Sequence, residues 1–140
     1  MRGLHHLDLN VSDVSRSAAF YDRVLTHMGF TRVVDPSGEE AGFDWIAPGG
    51  TGISYFSLGI VPAKSRDKPH DRYAPGLHHL ALKSETREAV DALHRTLLQM
   101  DAEILDAPAE YPQYGPGYYA VFFLDPDGLK LEYVFEPDAG

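Results

Sequence analysis

The sequence contains no cysteine, which excludes disulfides, thiolate metal sites and a cysteine nucleophile, and leaves His, Asp and Glu as the strong ligands available to a metal. It is also short of cations: 12 Lys and Arg stand against 21 Asp and Glu, a formal net charge of −9. Phosphate backbones are bound through clustered Lys and Arg, so a nucleic-acid partner is not expected. The densest basic stretch, Lys64 to Arg72, alternates signs around Pro69 and reads as a solvated linker. No run of ~18 apolar residues occurs, and Met1-Arg2-Gly3 leads into a strand pattern without a basic segment and an apolar stretch behind it. A cytoplasmic protein with no membrane partner is the expectation. At 140 residues the chain is read as one domain, 1–140, with a single shared core.

What is present is a repeat. Leu4-His5-His6-Leu7-Asp8-Leu9 returns about half a chain later as Leu77-His78-His79-Leu80-Ala81-Leu82. Residues 4–11 alternate, with Leu7, Leu9 and Val11 on one face and His6, Asp8 and Asn10 on the other, the period-two pattern of a strand with one apolar side. Ser12 or Asp13 can cap a helix whose apolar positions, Val14, Ala18, Tyr21, Leu25 and Met28, run to Gly29. Shorter strand-like segments follow near 30–35, 42–47 and 53–61. The second half repeats the order: a strand at 77–83, a helix at 86–100, and strands near 103–106, 117–124 and 129–136, separated by turn signals at Pro108, 111–117 and Asp125-Pro126-Asp127-Gly128. The chain therefore reads as two βαβββ modules, about 1–61 and 77–136, joined by a linker at about 62–76.

Strand parity separates the candidate ligands from the core. Leu129, Leu131, Tyr133 and Phe135 share one face of the last strand, and Lys130, Glu132 and Val134 the other. His79, Ala81 and Lys83 stand opposite Leu80 and Leu82, as His6 stands opposite Leu7. His6, His79 and Glu132 can thus line one concave surface while the leucines pack beneath the helices. The same parity sends His5 and His78 to the other face, as packing or hydrogen-bonding residues behind the sheet.

LHHLDLNVSD, the helix ending LTHMGF, the second GLHHLAL, and FFLDPDGLKLEYV near the C-terminus together resemble the vicinal oxygen chelate superfamily, which includes glyoxalase I, extradiol dioxygenases and bleomycin-binding proteins. The resemblance covers nearly the whole chain. It implies an α+β fold in which paired βαβββ modules form a cupped mixed sheet around one divalent metal ion, held by a His on the first strand of each module and a Glu on the last strand of the second. Those positions are His6, His79 and Glu132. Glyoxalase I adds a ligand on the last strand of the first module. Setting Gly50 against Gly128 brings Ser54 to that place, with Tyr55 one step away, and neither is a good ligand. The resemblance also implies a homodimer.

Two imidazoles and one carboxylate leave positions open for a small substrate that chelates through two adjacent oxygens, which the metal polarises as a Lewis acid. The donor types fit Fe, Mn, Zn, Ni, Co or Mg. The expected activity is that of a lyase or isomerase, or of an extradiol-type dioxygenase; the alternative is a non-catalytic, drug-binding protein of the bleomycin-resistance type. Glu132, Tyr118 and Tyr114 are the catalytic candidates, the tyrosines as donors, acids or stacking surfaces in a group with Tyr111 and Tyr119. Asn10, Lys83 and Lys130 are candidates for substrate contact. Two lysines are few for anchoring a phosphonate, which argues against fosfomycin chemistry. Trp45 and Phe56 are candidates for an apolar wall, with core packing as the equal alternative. His27 and His70 are given no role.

Overall fold

The computed structural model describes residues 3–33, 42–49 and 56–138. It divides into two compact units, Met1–Lys68 and Pro69–Gly140. Each runs βαβββ, as the repeat predicts. In the first unit β1 (His6–Val11) is followed by α1 (Val14–His27), β2 (Thr31–Val33), β3 (Phe43–Ile46) and β4 (Ser57–Pro62). These strands form a mixed sheet of order β1-β4-β3-β2, with β1 parallel to β4 and the other neighbours antiparallel. Asp13 caps α1 by accepting a hydrogen bond from the Arg16 amide at 3.0 Å. Gly29, with φ of +90°, lets the chain leave the helix. Leu9, Val11, Tyr21, Val24, Leu25, Trp45, Leu58 and Ile60 are buried together as the core between α1 and its sheet.

The second unit repeats the plan with β5 (Leu80–Ser84), α2 (Arg87–Gln99), β6 (Ile104–Glu110), β7 (Tyr119–Leu124) and β8 (Lys130–Phe135). Its sheet has the order β5-β8-β7-β6, with β5 parallel to β8. Thr86 caps α2 through the Ala89 amide at 3.0 Å. Val90, Leu93 and Leu97 bury one stripe of that helix over Val121, Phe123, Leu131 and Tyr133. One boundary differs from the reading of the sequence: β6 continues through Pro108, which had signalled a turn. β6 is an edge strand whose pairing with β7 is interrupted by two register shifts, and an edge strand with bulges tolerates a residue that cannot donate to the ladder.

The ladders also correct the correspondence between the units. Leu7 pairs with Leu58 and Asp8 with Gly59, while Leu80 pairs with Leu131 and Ala81 with Glu132. The counterpart of Glu132 is therefore Gly59, not Ser54, which lies outside the described residues together with Tyr55. The physical reason is hairpin length: ten residues separate Ile46 from Ser57 where five separate Leu124 from Lys130, so matching Gly50 to Gly128 misplaces the strand. At Gly59 a Cβ would overlap Oδ1 of both Asp8 and Asp44.

The turn before β8 sets the height of Glu132. Asp125 is buried, and its Oδ1 accepts from the amides of Asp127 and Leu129, each at 2.8 Å. Gly128 supplies the positive φ of +85°. Asp125→Ala should cost about 2 kcal/mol by leaving these buried donors unpaired, read as a lower urea midpoint with unchanged slope. An unaltered midpoint would mean that the turn holds without its side chain.

Candidate metal centre

Glu132 lies on the face of β8 opposite Leu131 and Tyr133, yet it is only 3% exposed. Its register neighbours explain the burial. Ala81 on β5 and Phe122 on β7 flank it, and Tyr118, just before β7, reaches over and donates a short hydrogen bond from its hydroxyl to Glu132 Oε2. The other oxygen, Oε1, faces His79 Nε2 at 3.2 Å. The imidazole also stands edge-on to Phe122, with ring centroids 6.5 Å apart. A buried carboxylate calls for a positive partner, and the groups that touch this one are a phenol and an imidazole.

A cation fits between them. Two donors bound at about 2.1 Å to one metal in adjacent coordination positions lie about 3 Å apart, which matches the observed separation of Nε2 and Oε1. Within either unit taken alone, the described residues offer no cluster of three His, Asp or Glu side chains able to hold an ion. In the second unit His79 and Glu132 are the pair whose atoms face each other at that separation.

The surrounding side chains orient this pair. His79 Nδ1 lies 2.7 Å from His78 Nδ1. The His78 imidazole is held below its ordinary pKa by partial loss of hydration and then by the positive charge of His79, Lys130 and Arg72. The Tyr118 phenol is raised far above its usual range, first by burial, then by the hydrogen bond to and the charge of Glu132, so it stays a donor to that carboxylate. Tyr111 is raised as well, by burial and then by Asp106. Tyr111, Tyr114, Tyr118 and Phe122 form one aromatic cluster: Tyr111 stacks on Tyr114 at 5.8 Å and meets Phe122 edge-on at 5.5 Å, and Tyr114 meets Tyr118 at 5.4 Å. Lys130 Nζ lies 4.8 Å over the Phe122 ring. Lys83 pairs with Asp138 at 3.4 Å. A cavity of about 750 Å³ opens on the far side of Tyr118, with Ala81, Lys83, Tyr114, Tyr118 and Val134 among its walls but neither His79 nor Glu132.

In the first unit His6 is exposed, with Nδ1 2.8 Å from His5 Nδ1 and Nε2 3.8 Å from Asp8 Oδ2. Asn10 follows on the same exposed face of β1. Trp45 and Phe56 are corrected to core residues. Trp45 is fully buried against Tyr21 and Phe43 and donates from Nε1 to Asp22 Oδ1 at 3.1 Å; Phe56 is 7% exposed. Tyr119 points the other way and donates to Asp91 Oδ1 at 2.5 Å, tying β7 to α2. His5 and His78 are corrected too: they do not pack behind the sheets but are exposed and touch the histidines that follow them. Parity failed there because β1 begins at His6 and β5 at Leu80, so the leading histidines precede the regular pleat. The doubled His-His itself was the available signal.

The model of the Glyoxalase/Bleomycin resistance protein/Dioxygenase superfamily matches residues 3–133. The chain belongs to this superfamily. The uncharacterized Bacillus subtilis protein YqjT is 32% identical over 94% of this chain and 97% of its own length. A solved structure from Bacillus halodurans is 29% identical, with 96% of each chain covered and a TM-score of 0.73. The lactoylglutathione lyase of Agrobacterium tumefaciens, at 18% identity with 96% and 94% of the two chains covered and a TM-score of 0.62, shares the fold. No described helix of this superfamily member is long and apolar enough to cross a membrane.

The raised Tyr118 pKa carries a sign. Its neutral phenol is favoured by folding, so the stability it contributes is present below about pH 10, where an unfolded tyrosine ionises, and is lost as the pH rises beyond that. A tyrosinate absorbance titration should show a late component above the ordinary phenol range that Tyr118→Phe diminishes by one tyrosine. An identical titration in the variant would contradict the hydrogen bond to Glu132.

Proposed function

We propose that this superfamily member is a divalent-metal-dependent enzyme whose small substrate chelates the metal through two adjacent oxygens. The observation that carries the reading is the buried Glu132 carboxylate, with one oxygen aimed at His79 Nε2 at 3.2 Å and the other held by Tyr118. Superfamily members typically bind a divalent metal and small-molecule substrates. His79 and Glu132 are two ligands in this reading, and His6, the counterpart of His79 on β1, is the third. Gly59 in the place matching Glu132 supports a set without a carboxylate from β4, which leaves more positions for substrate oxygens.

When bound, the metal supplies Lewis-acid stabilisation of negative charge developing on a substrate oxygen. The protein groups supply the rest. Tyr118 keeps Glu132 in one rotamer and restricts it to donating through Oε1. The cavity lined by Ala81, Lys83, Tyr114 and Tyr118 has the size of a small-ligand site. In it the Lys83 ammonium can meet an anionic oxygen, and the Tyr114 ring can stack on a flat substrate. Lys130 and Asn10 are further substrate contacts in this proposal. A cytoplasmic homodimer completes it.

Protein purified anaerobically without chelators or a His-tag should carry close to one equivalent of a transition metal per chain by elemental analysis. Glu132→Ala and His79→Ala should each abolish that stoichiometry while the circular dichroism spectrum is kept, since the leucine faces still pack. Iron would direct assays to oxygen consumption with catechols, and nickel, zinc, manganese or cobalt to lyase and isomerase substrates. Failure to take up any of these ions would overturn the proposal in favour of a drug-binding protein.

A further inference from the structure

The same contact occurs at the same place in both units. His5 and His6 bring their Nδ1 atoms to 2.8 Å with rings edge-to-face at 82°, and His78 and His79 bring theirs to 2.7 Å at 76°. Successive residues of a regular strand point to opposite faces, so consecutive histidines meet only if the first lies outside the pleat. Here it does in both units, since His5 and His78 precede the strands that follow. The His78 ring is also buttressed: Tyr73 stands edge-on to it at 6.0 Å, beneath the Arg72 guanidinium at 4.9 Å.

Two imidazole nitrogens this close share one proton, so one ring donates and the other accepts. The far side of His79 decides which. Its Nε2 faces Glu132 Oε1, and two lone pairs cannot face each other across 3.2 Å without a positive centre between them. When that centre is a metal, Nε2 gives up its lone pair and the ring proton must sit on Nδ1. His79 then donates from Nδ1 to His78, whose own proton sits on its exposed Nε2. Metal-bound histidines are usually oriented by a carboxylate or carbonyl on the second nitrogen; here a neutral imidazole from the adjacent residue takes that place.

We propose that His78 and His5 are positioning residues, each accepting the Nδ1 proton of the following histidine and so fixing the tautomer and ring angle that present Nε2 to the metal. The inference rests on the metal-site reading above and assigns the leading histidine of each repeat a task in it.

The test uses the full chain and zinc ion as the probe, with affinity read by competition against a fluorescent chelator. His78→Phe, which keeps a ring and removes the acceptor, should weaken zinc binding about 10- to 100-fold. His78→Gln, which restores an acceptor oxygen, should recover most of that loss. In the zinc-loaded wild type, long-range ¹H–¹⁵N spectra should show the His79 proton on Nδ1. Unchanged affinity in His78→Phe, or a loss of the same size in His78→Gln, would overturn the positioning role. If zinc binding by the wild type is lost in Glu132→Ala but untouched in His78→Phe, only this inference fails. If the wild type binds no zinc at all, the metal site fails with it.

Discussion

The buried carboxylate of Glu132 is the constraint on which the second unit is arranged. Removing a charged group from water costs several kcal/mol unless hydrogen bonds and a countercharge replace the lost hydration. The unit supplies the hydrogen bond from Tyr118 and the facing imidazole of His79. Each depends on something further away. The turn at Asp125 fixes where β8 starts, the Phe122 register places an aromatic wall beside the carboxylate, and the Tyr111 and Tyr114 rings back Tyr118. A polar group this expensive is a functional candidate on physical grounds, and its neighbours Ala81 and Tyr118 also line a cavity of substrate size.

The two units keep one scaffold and differ in what they place on the face opposite the core. In matching ladder positions the first unit has Asp8, Asp44 and Gly59 where the second has Ala81, Phe122 and Glu132. The core positions beside them stay apolar, Trp45 with Leu58 in one unit and Phe123 with Leu131 in the other. Packing therefore preserves the repeat, whereas the opposite face differs between the units, with Asp8 exposed in the first and Phe122 and Glu132 buried in the second. The exception on that face is the histidine pair, kept in both units with its Nδ1 contact. This retention is what a shared task for the pair would leave behind.

Much of this was legible in the sequence, for identifiable reasons. The alternation in β1 could be read because one face of that strand is buried and the other exposed, which ties residue identity to parity; in β8 it showed as apolar residues alternating with Lys130 and Glu132. Capping by Asp13 and the turn at Asp125 are local chemistry, and local chemistry shows in short sequence windows. The burial of Glu132 did not show, because it is produced by Tyr118 and Phe122 reaching it across the sheet. Parity also misled at His5 and His78, where the pleat had not begun, and the Ser54 alignment slipped because two hairpins of unequal length were matched by their glycines. For Trp45 a single sequence cannot separate a core aromatic from a cavity wall; its burial against Tyr21 does.

The central claim is that His79 and Glu132 form a seat for a metal ion rather than a plain ion pair. Anomalous diffraction from crystals of the metal-loaded protein tests it most directly. The account predicts one anomalous peak within coordination distance of both His79 Nε2 and Glu132 Oε1, with Tyr118 still bonded to Oε2. An empty seat, with the imidazole and carboxylate in direct contact and the metal absent or bound elsewhere, would contradict it.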